Sequence, residues 1–391
     1  MLHSFLVEHL GLPVTSLPYK DRPVSSRPLL ERVLEGGNFG QYRMERTPGT
    51  QAVWQRKLYT AHSFLRNVSL SFGYAPKEAF WTFTNLWTSQ MMREYDFRVA
   101  GFLFKLHLPE EQDIDRLLPS FRPFRCVTDI QGRAIFNFVA VSSSLSEKGI
   151  IRVLEETESD LGHIRLLEMA EGYRVELRYT AGSPVHVLHA EPFFTLAMAN
   201  IRWDDPYAGE VLCSLLRIVY SQAILFWGGI SVHASAVAWR GKAYLFMGKS
   251  GTGKSTHAVQ WLKCFPKSEL LNDDNPTIRM ESGRSIAYGT PWSGKTPCYK
   301  NRCFPVGGIV RLRQADANRF VLQKDVDAFI TLLPGCSAIR LHSYLCNGLY
   351  DTLAETVSAV PVGELDCLPD EGAALLCEET LTKEYEYLYN H

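Results

Sequence analysis

The sequence lacks several features that would assign it to a specialised class of protein. Its 391 residues carry a net charge of -1, so no excess of one sign points to nucleic acid or to a membrane surface. No apolar run reaches transmembrane length, because the run at residues 223–230 is too short, and no basic N-terminal region leads into a long apolar core. We therefore expect a soluble, cytoplasmic protein that binds neither nucleic acid nor membranes.

Cysteine pairs of the kind that bind zinc are also missing. The nine cysteines are an odd number, they are scattered, and none forms a Cys-x-x-Cys pair. Cys298 and Cys303 are the closest two, and no paired histidine stands at ligand spacing beside them. The pattern favours reduced thiols over disulfides or a zinc site.

A glycine-rich segment at residues 248–255 is the most informative stretch. It reads Gly-Lys-Ser-Gly-Thr-Gly-Lys-Ser, follows an apolar run at residues 243–247 that is typical of a buried strand, and precedes a helical pattern. Such a loop cradles a phosphate with backbone N–H groups, while its lysine neutralises phosphate charge and its serine can hold magnesium. The alternative is a glycine-rich turn with an incidental lysine. The residues expected to bind ATP are Gly248, Ser250, Gly251, Thr252, Gly253, Lys254, Ser255 and Thr256.

A histidine is predicted beside this loop. Residues 229–238 read as a strand that carries His233, and the Arg-Gly turn after it leads into the strand before the loop. The two strands are expected to form a hairpin directly beneath the phosphate site, which places His233 near the phosphates. A purely structural role is an equally good interpretation of a single histidine in a strand.

Two adjacent acids, Asp273 and Asp274, follow the apolar run at residues 269–272. At a phosphoryl-transfer site one such carboxylate holds magnesium, and a neighbouring one accepts the proton of the attacking hydroxyl. Adjacent residues in an extended strand point to opposite faces, so both acids reach one ion only if the chain turns there. The alternative is a solvated loop that happens to be acidic.

A Gly- and Pro-rich segment at residues 289–308 is predicted to be an active-site loop. Lys295 and Arg302 lie in it, and a cation that reaches the transferring group stabilises its charge. We expect both to be catalytic, with an ordinary surface arginine as the alternative for Arg302. Trp292 either stacks on adenine or, as we favour, anchors the loop in the core.

Three regions are predicted along the chain. Residues 1–95 mix proline-rich stretches with helical pieces and form a helical appendage whose last helix covers residues 77–95. Residues 96–205 show short alternating runs, which indicate an accessory, mainly antiparallel sheet domain. Residues 206–391 form an α/β catalytic domain, entered by an apolar helix at residues 207–227 that we expect to pack in the core.

The order of these motifs resembles the catalytic domain of HPr serine kinase, a bacterial family related in fold to ATP-dependent phosphoenolpyruvate carboxykinase. The resemblance covers about residues 206–330. It implies a P-loop kinase domain of that type, with ATP and Mg²⁺ as ligands. The roles it implies are Lys254 on the ATP phosphates, Ser255 and Asp274 on Mg²⁺, Asp273 as general base toward a hydroxyl, and His233 orienting or neutralising the phosphoryl group.

The chain departs from that family at three points. Ala234 follows the histidine where the family has glycine, and Thr256 follows the P-loop where the family has an acid. A late glycine- and arginine-rich signature, which accompanies recognition of the HPr protein, is not found in the sequence. The pattern is more similar to the HPr-kinase-like proteins that sit beside peptide-modification systems.

The N-terminal region carries a second, shorter resemblance. Residues 34–40 read Leu-Glu-Gly-Gly-Asn-Phe-Gly and resemble the tail of a family of bacterial nucleotidyltransferase-like proteins. No catalytic residue follows from this resemblance. The physical alternative is a helix C-terminus at which Gly36 takes the left-handed cap position.

Together these features predict an ATP- and Mg²⁺-dependent kinase that transfers the γ-phosphoryl group to a hydroxyl, with a serine of a peptide or protein as the expected acceptor. A first alternative is an enzyme acting on a small molecule, such as a kinase of free serine or a carboxykinase-like enzyme. A second is a nucleotide-binding regulator without turnover. Assembly into a homo-oligomer is left open by the sequence.

Overall fold

Two large β-sheets, joined by one long helix, make up the part of the chain that the structure describes. The structure is a computed structural model, and it describes residues 91–126, 132–159, 162–294 and 296–390. The predicted helical appendage therefore lies almost entirely outside the described residues. Its last four residues differ from the prediction, because Met92 already begins a strand.

The first sheet has eight strands in the spatial order β1-β2-β3-β8-β7-β6-β5-β4. Strands β4 to β8 form an antiparallel meander, whereas β3 runs parallel to both of its neighbours. The sheet is thus mixed rather than purely antiparallel, because alternation of apolar residues does not distinguish the two kinds of pairing. Its strands are β1 (Met92–Val99), β2 (Phe102–Pro109), β3 (Phe136–Val141), β4 (Ile150–Ser159), β5 (Gly162–Met169), β6 (Gly172–Arg178), β7 (His186–Ala190) and β8 (Leu196–Asn200).

Short helical elements, α1 (Ile114–Leu117) and a 3₁₀ turn at Pro119–Phe124, connect β2 to β3. The long helix α2 (Ala208–Ala223) and a second 3₁₀ turn at Ile224–Trp227 then lead to the second sheet. Contrary to the expectation from the run at residues 223–230, α2 and this turn together are long and apolar enough to cross a membrane, but 67% of their most apolar window is buried inside the protein. This burial is what we expect of a packed core helix.

The second sheet has nine strands, of which β12-β10-β11-β15-β14-β13-β9 follow one another in space. The strands are β9 (Gly229–Ser231), β10 (Ala234–Trp239), β11 (Lys242–Met247), β12 (Glu269–Asn272), β13 (Thr277–Glu281), β14 (Arg284–Tyr288), β15 (Cys303–Gln314), β16 (Arg319–Gln323) and β17 (Val362–Cys367). The helices of this region are α3 (Lys254–Cys264), α4 (Asp325–Leu332), α5 (Ser343–Ala359) and α6 (Glu371–Asn390), with a 3₁₀ turn at Leu333–Gly335.

A tight hairpin joins β10 to β11, as predicted. Arg240 and Gly241 both have positive φ, 48° and 75°, which is the backbone of a type I′ turn and matches the twist of the flanking strands. Trp239 pairs with Lys242 at the turn, and Ala234 pairs with Met247 at the open end. The hairpin therefore fixes which residue of β10 lies beside the end of β11.

An aromatic core lies beneath the glycine-rich loop. Trp261 of α3 is fully buried, and its ring centroid lies 4.6 Å from Tyr244 and 5.2 Å from Phe246 of β11. Burial of an aromatic side chain this large typically contributes about 3–5 kcal/mol to stability. These contacts pack α3 against β11, the strand that precedes the loop.

Burial also keeps His257 of α3 neutral in the folded protein. The residue is 4% exposed, and its Nε2 accepts a hydrogen bond from Trp261 Nε1 at 3.1 Å. Desolvation lowers the pKa of His257 to about 4. The unfolded chain therefore binds more protons than the folded one between the ordinary histidine pKa and this value, so the free energy of unfolding falls as the pH is lowered through that range.

We expect a His257→Gln variant, which keeps an acceptor for Trp261 but does not titrate, to be less sensitive to acid than the native protein. From about pH 7.5 to about pH 5 the native protein should lose about 1–2 kcal/mol more stability than the variant. Urea unfolding at the two pH values measures the difference. Glu191, whose pKa burial raises to about 7, titrates in both proteins and cancels. Equal losses in the two proteins would contradict this account.

Candidate active site

The glycine-rich loop spans residues 248–253, between the end of β11 and the start of α3. Gly251 and Gly253 have φ of 82° and 96°, in the left-handed region that favours glycine, and Gly253 is the N-cap of α3. A Cβ at Gly248 would lie 2.4 Å from Thr252 Oγ1, so any larger residue here would have to displace the Thr252 side chain. The strand, turn and helix predicted for a phosphate-binding loop are all present.

Lys254, the first residue of α3, covers this loop. Its Nζ donates hydrogen bonds to the carbonyl oxygens of Gly248 and Lys249 at 3.1 and 3.2 Å, and the residue is 9% exposed. Ser255 is half-buried, and Ser250 and Thr256 are exposed. An arriving phosphate can take over the ammonium group from the two carbonyl oxygens, because the anion is the stronger hydrogen-bond acceptor.

The chain turns sharply where β12 ends. Oδ1 of Asn272 accepts hydrogen bonds from the backbone N–H of Asp274 at 3.0 Å and of Asn275 at 2.8 Å, and its Nδ2 donates to Trp292 O at 3.0 Å. A side chain that bonds its own backbone two and three residues on is typical of an Asx turn. The two acids are therefore not in a regular extended strand, and strand alternation does not separate them.

The two acids have different partners. Asp273 is 4% exposed; its Oδ1 accepts a hydrogen bond from Ser235 Oγ at 2.8 Å, and its Oδ2 accepts one from Thr296 N at 3.3 Å. Asp274 is more open, and its Oδ2 lies 2.7 Å from Arg217 Nη1 in an ion pair, with Oδ1 3.4 Å from His233 Nε2. Asp273 is thus held by neutral donors, whereas a cation compensates the charge of Asp274.

Antiparallel pairing on both sides of β10 brings the loop and the acids to one edge of the sheet. Ala234, the first residue of β10, pairs with Met247 at the end of β11. Ala236 pairs with Asn272 at the end of β12, and Ala234 N donates to Asp274 O at 3.0 Å. The ends of β11 and β12 are therefore two strand spacings apart, about 10 Å. His233, which directly precedes β10, lies between them.

Two residues of this cluster were missed by sequence reasoning. Arg217 is the one basic residue of the apolar helix α2, which is a signal that the sequence contains. Ser235 stands two residues after His233, and alternation along a strand places the two on the same side. Neither signal predicts which acid is the partner. Arg217 and Asp274 are 57 residues apart in the chain, and Ser235 and Asp273 are 38 residues apart.

Arg302, one of the two cations predicted in the loop, is paired away from the acids. Arg302 forms an ion pair with Glu269, to which Lys300 also donates at 2.7 Å. Hydrogen bonding from Lys300 lowers the pKa of Glu269 below its usual range, and the charge of Arg302 adds to this effect. Glu269 begins β12 whereas the acids follow its end, so the structure does not bring Arg302 to the acid pair.

Lys295 lies outside the described residues. The residues on either side of it approach Asp273, since Thr296 N donates to its carboxylate and a Cβ at Gly294 would lie 2.9 Å from its carbonyl oxygen. Trp292 is 4% exposed and donates from Nε1 to Cys213 O at 3.0 Å. It anchors this loop against α2, as we favoured.

The oxygen-rich turn after β12 fits a hard cation such as Mg²⁺, which takes oxygen ligands and is usually held by one or two carboxylates together with substrate phosphates. Asp274 and Ser255 offer such oxygens. Oδ1 of Asn275 is buried and has no hydrogen-bond partner, and leaving such an atom unpaired costs about 1–3 kcal/mol. Within the described ranges no group of three or more His, Cys, Asp and Glu side chains could hold a metal ion.

Comparison with solved structures finds distant structural neighbours of this chain. The chain is similar to the HPr(Ser) kinase/phosphatase from Coxiella burnetii, with 13% sequence identity and a TM-score of 0.24. The match covers 41% of this chain and 99% of that chain. No family model matches the chain, and no curated protein matches it.

Proposed function

We propose that this protein is an ATP- and Mg²⁺-dependent kinase that transfers the γ-phosphoryl group to a hydroxyl, with a serine of a peptide or protein as the acceptor. The observation that carries the proposal is the pairing of β10 with both β11 and β12. It places the glycine-rich loop, His233 and the acid pair at one edge of one sheet. Phosphoryl transfer depends mainly on such positioning and on charge stabilisation.

The glycine-rich loop and Lys254 bind and orient the donor. Backbone N–H groups of the loop and the N-terminus of α3 face a phosphate, and Lys254 neutralises part of its charge. Ser255 and Asp274 are the residues that would hold Mg²⁺, which would supply positive charge to offset that of the phosphates. Lys295 remains a proposed further cation for the transferring group.

Asp273 is the proposed general base. Its donors, the Ser235 hydroxyl and the Thr296 amide, are neutral, so its negative charge remains available to take a proton from the acceptor hydroxyl. Asp274 is ion-paired with Arg217 and suits the metal-binding role instead. His233 lies beside Asp274 and the start of the loop, where it can donate a hydrogen bond to a phosphoryl oxygen.

The sequence resemblance to HPr-kinase-like proteins supports serine as the acceptor, and the net charge of -1 provides no overall positive field that would favour nucleic acid as a partner. The test is transfer from γ-labelled ATP to free serine, to serine-containing peptides and to cell extract, with and without Mg²⁺. We expect Mg²⁺-dependent label on a hydroxyl of a peptide or protein. Tight ATP binding with no transfer to any acceptor would favour a regulator, and stimulation by a carboxylic acid would favour a carboxykinase-like enzyme.

A further inference from the structure

One buried side-chain oxygen of the turn after β12 has no hydrogen-bond partner among the described residues. Both carboxylate oxygens of Asp273 and both of Asp274 have a partner, and Asn272 Oδ1 accepts two backbone N–H groups. Asn275 is 4% exposed, and among the described residues its Oδ1 has no hydrogen-bond partner. A buried amide oxygen is normally paired, so its isolation here calls for a ligand or an ordered water.

The position of Asn275 points to a ligand. Ala234 N donates to Asp274 O at 3.0 Å, and Val232 N donates to Pro276 O at 3.1 Å. These two hydrogen bonds set Asn275 opposite His233. The glycine-rich loop begins on the other side of His233. Ala234 pairs with Met247, and Gly248 directly follows Met247. Asn275 therefore stands in the same row as the start of the glycine-rich loop, next to the acid pair.

The chemistry of the Asn275 amide oxygen limits which ligands it can bind. An amide carbonyl oxygen is a hard, neutral ligand of the kind that Mg²⁺ and Ca²⁺ accept. It can therefore coordinate the cation without adding a further negative charge to the site. Asp274 already shares its charge with Arg217, which weakens its hold on a cation. A neutral oxygen beside it strengthens the site without requiring a further cationic partner for balance.

We propose that Asn275 Oδ1 is a ligand of the magnesium ion that this site binds with nucleotide, together with Asp274. This inference rests on the proposed function, since it concerns the same site. It differs from the expectation drawn from the sequence, in which Ser255 and Asp274 are the protein's ligands. The competing explanation is a buried water that satisfies the amide and has no role in metal binding.

Binding of Mn²⁺, a paramagnetic substitute for Mg²⁺, separates the two explanations without relying on activity. The free ion is followed by electron paramagnetic resonance, with a non-hydrolysable ATP analogue present, for the native protein, Asn275→Leu and Asn275→Asp. We expect Asn275→Leu to weaken Mn²⁺ binding by about tenfold or more, and Asn275→Asp to bind at least as tightly as the native protein. Asn275→Asp keeps the shape of the side chain and its oxygen, so it still tests the inference if Asn275→Leu does not fold.

Ser231→Ala is the matched control. Ser231 is 1% exposed, and its Oγ also has no hydrogen-bond partner among the described residues, yet it pairs with Thr277 farther from the acids. Its Mn²⁺ affinity should equal that of the native protein. Three outcomes would overturn the inference about Asn275 but not the proposed function. They are native-like Mn²⁺ affinity in Asn275→Leu, weaker Mn²⁺ binding in Asn275→Asp, or equal weakening of Mn²⁺ binding in Ser231→Ala. If the native protein itself takes up no Mn²⁺ with the analogue, the inference and the proposed kinase function are both overturned.

Discussion

Replacing Asp273 with Asn should reduce kcat for phosphoryl transfer by about 10²–10⁴-fold, with little change in the KM for ATP. An amide cannot take the proton of the acceptor hydroxyl, whereas it can still accept the hydrogen bond that Ser235 Oγ donates at 2.8 Å. The fold should therefore persist, apart from the weakened contact with Thr296 N. Steady-state kinetics on the acceptor found by the labelling experiment, with thermal unfolding of both proteins, provide the measurement.

Asp274→Asn is the control for this variant. It removes a neighbouring carboxylate of the same turn, but one that is paired with Arg217. We expect its main effect to be a higher concentration of Mg²⁺ needed for half-maximal rate. If Asp273→Asn retains full kcat while Asp274→Asn is inactive at saturating Mg²⁺, the two roles are reversed.

Replacing Lys254 with Ala should lower kcat/KM for ATP by about 10²–10³-fold, the usual loss when one donor to a developing charge is removed. The native lysine is held over the loop by Gly248 O and Lys249 O, so little of its motion has to be restricted when a phosphate arrives. The contribution of Lys254 to ATP binding is measured by titrating each protein with a non-hydrolysable ATP analogue and recording the rise in Tm. The native protein should be stabilised as the analogue saturates, and the variant much less.

Lys249→Ala provides the comparison within the same loop. Lys249 is exposed, and its contact with Lys254 uses the backbone carbonyl, which alanine retains. We expect kcat/KM within a few-fold of the native value. A similar loss in both variants would mean that the loop attracts ATP through its overall charge, with no specific contribution from Lys254.

Much of the local structure of the second sheet can be predicted from the sequence. The Arg-Gly turn between two apolar runs predicts the hairpin of β10 and β11, and glycines after an apolar strand predict the loop before α3. These features depend on residues that are close together in the chain, and backbone conformation and amphipathic pattern are set at that range. The same holds for β12, whose apolar residues end at the acids.

The partners of the site residues depend on the tertiary structure. Arg217 reaches Asp274, and Ser235 reaches Asp273, because β10 is flanked by β11 and β12 and α2 packs nearby. Arg302 illustrates the converse, since the sequence of a Gly- and Pro-rich loop does not reveal which end of β12 the loop will lie beside. The ion pair with Glu269 holds Arg302 at the end away from the acids. Contacts between distant segments are selected by the packing of the whole sheet, so the kinds of residue at the site could be named from the chain, but their pairing could not.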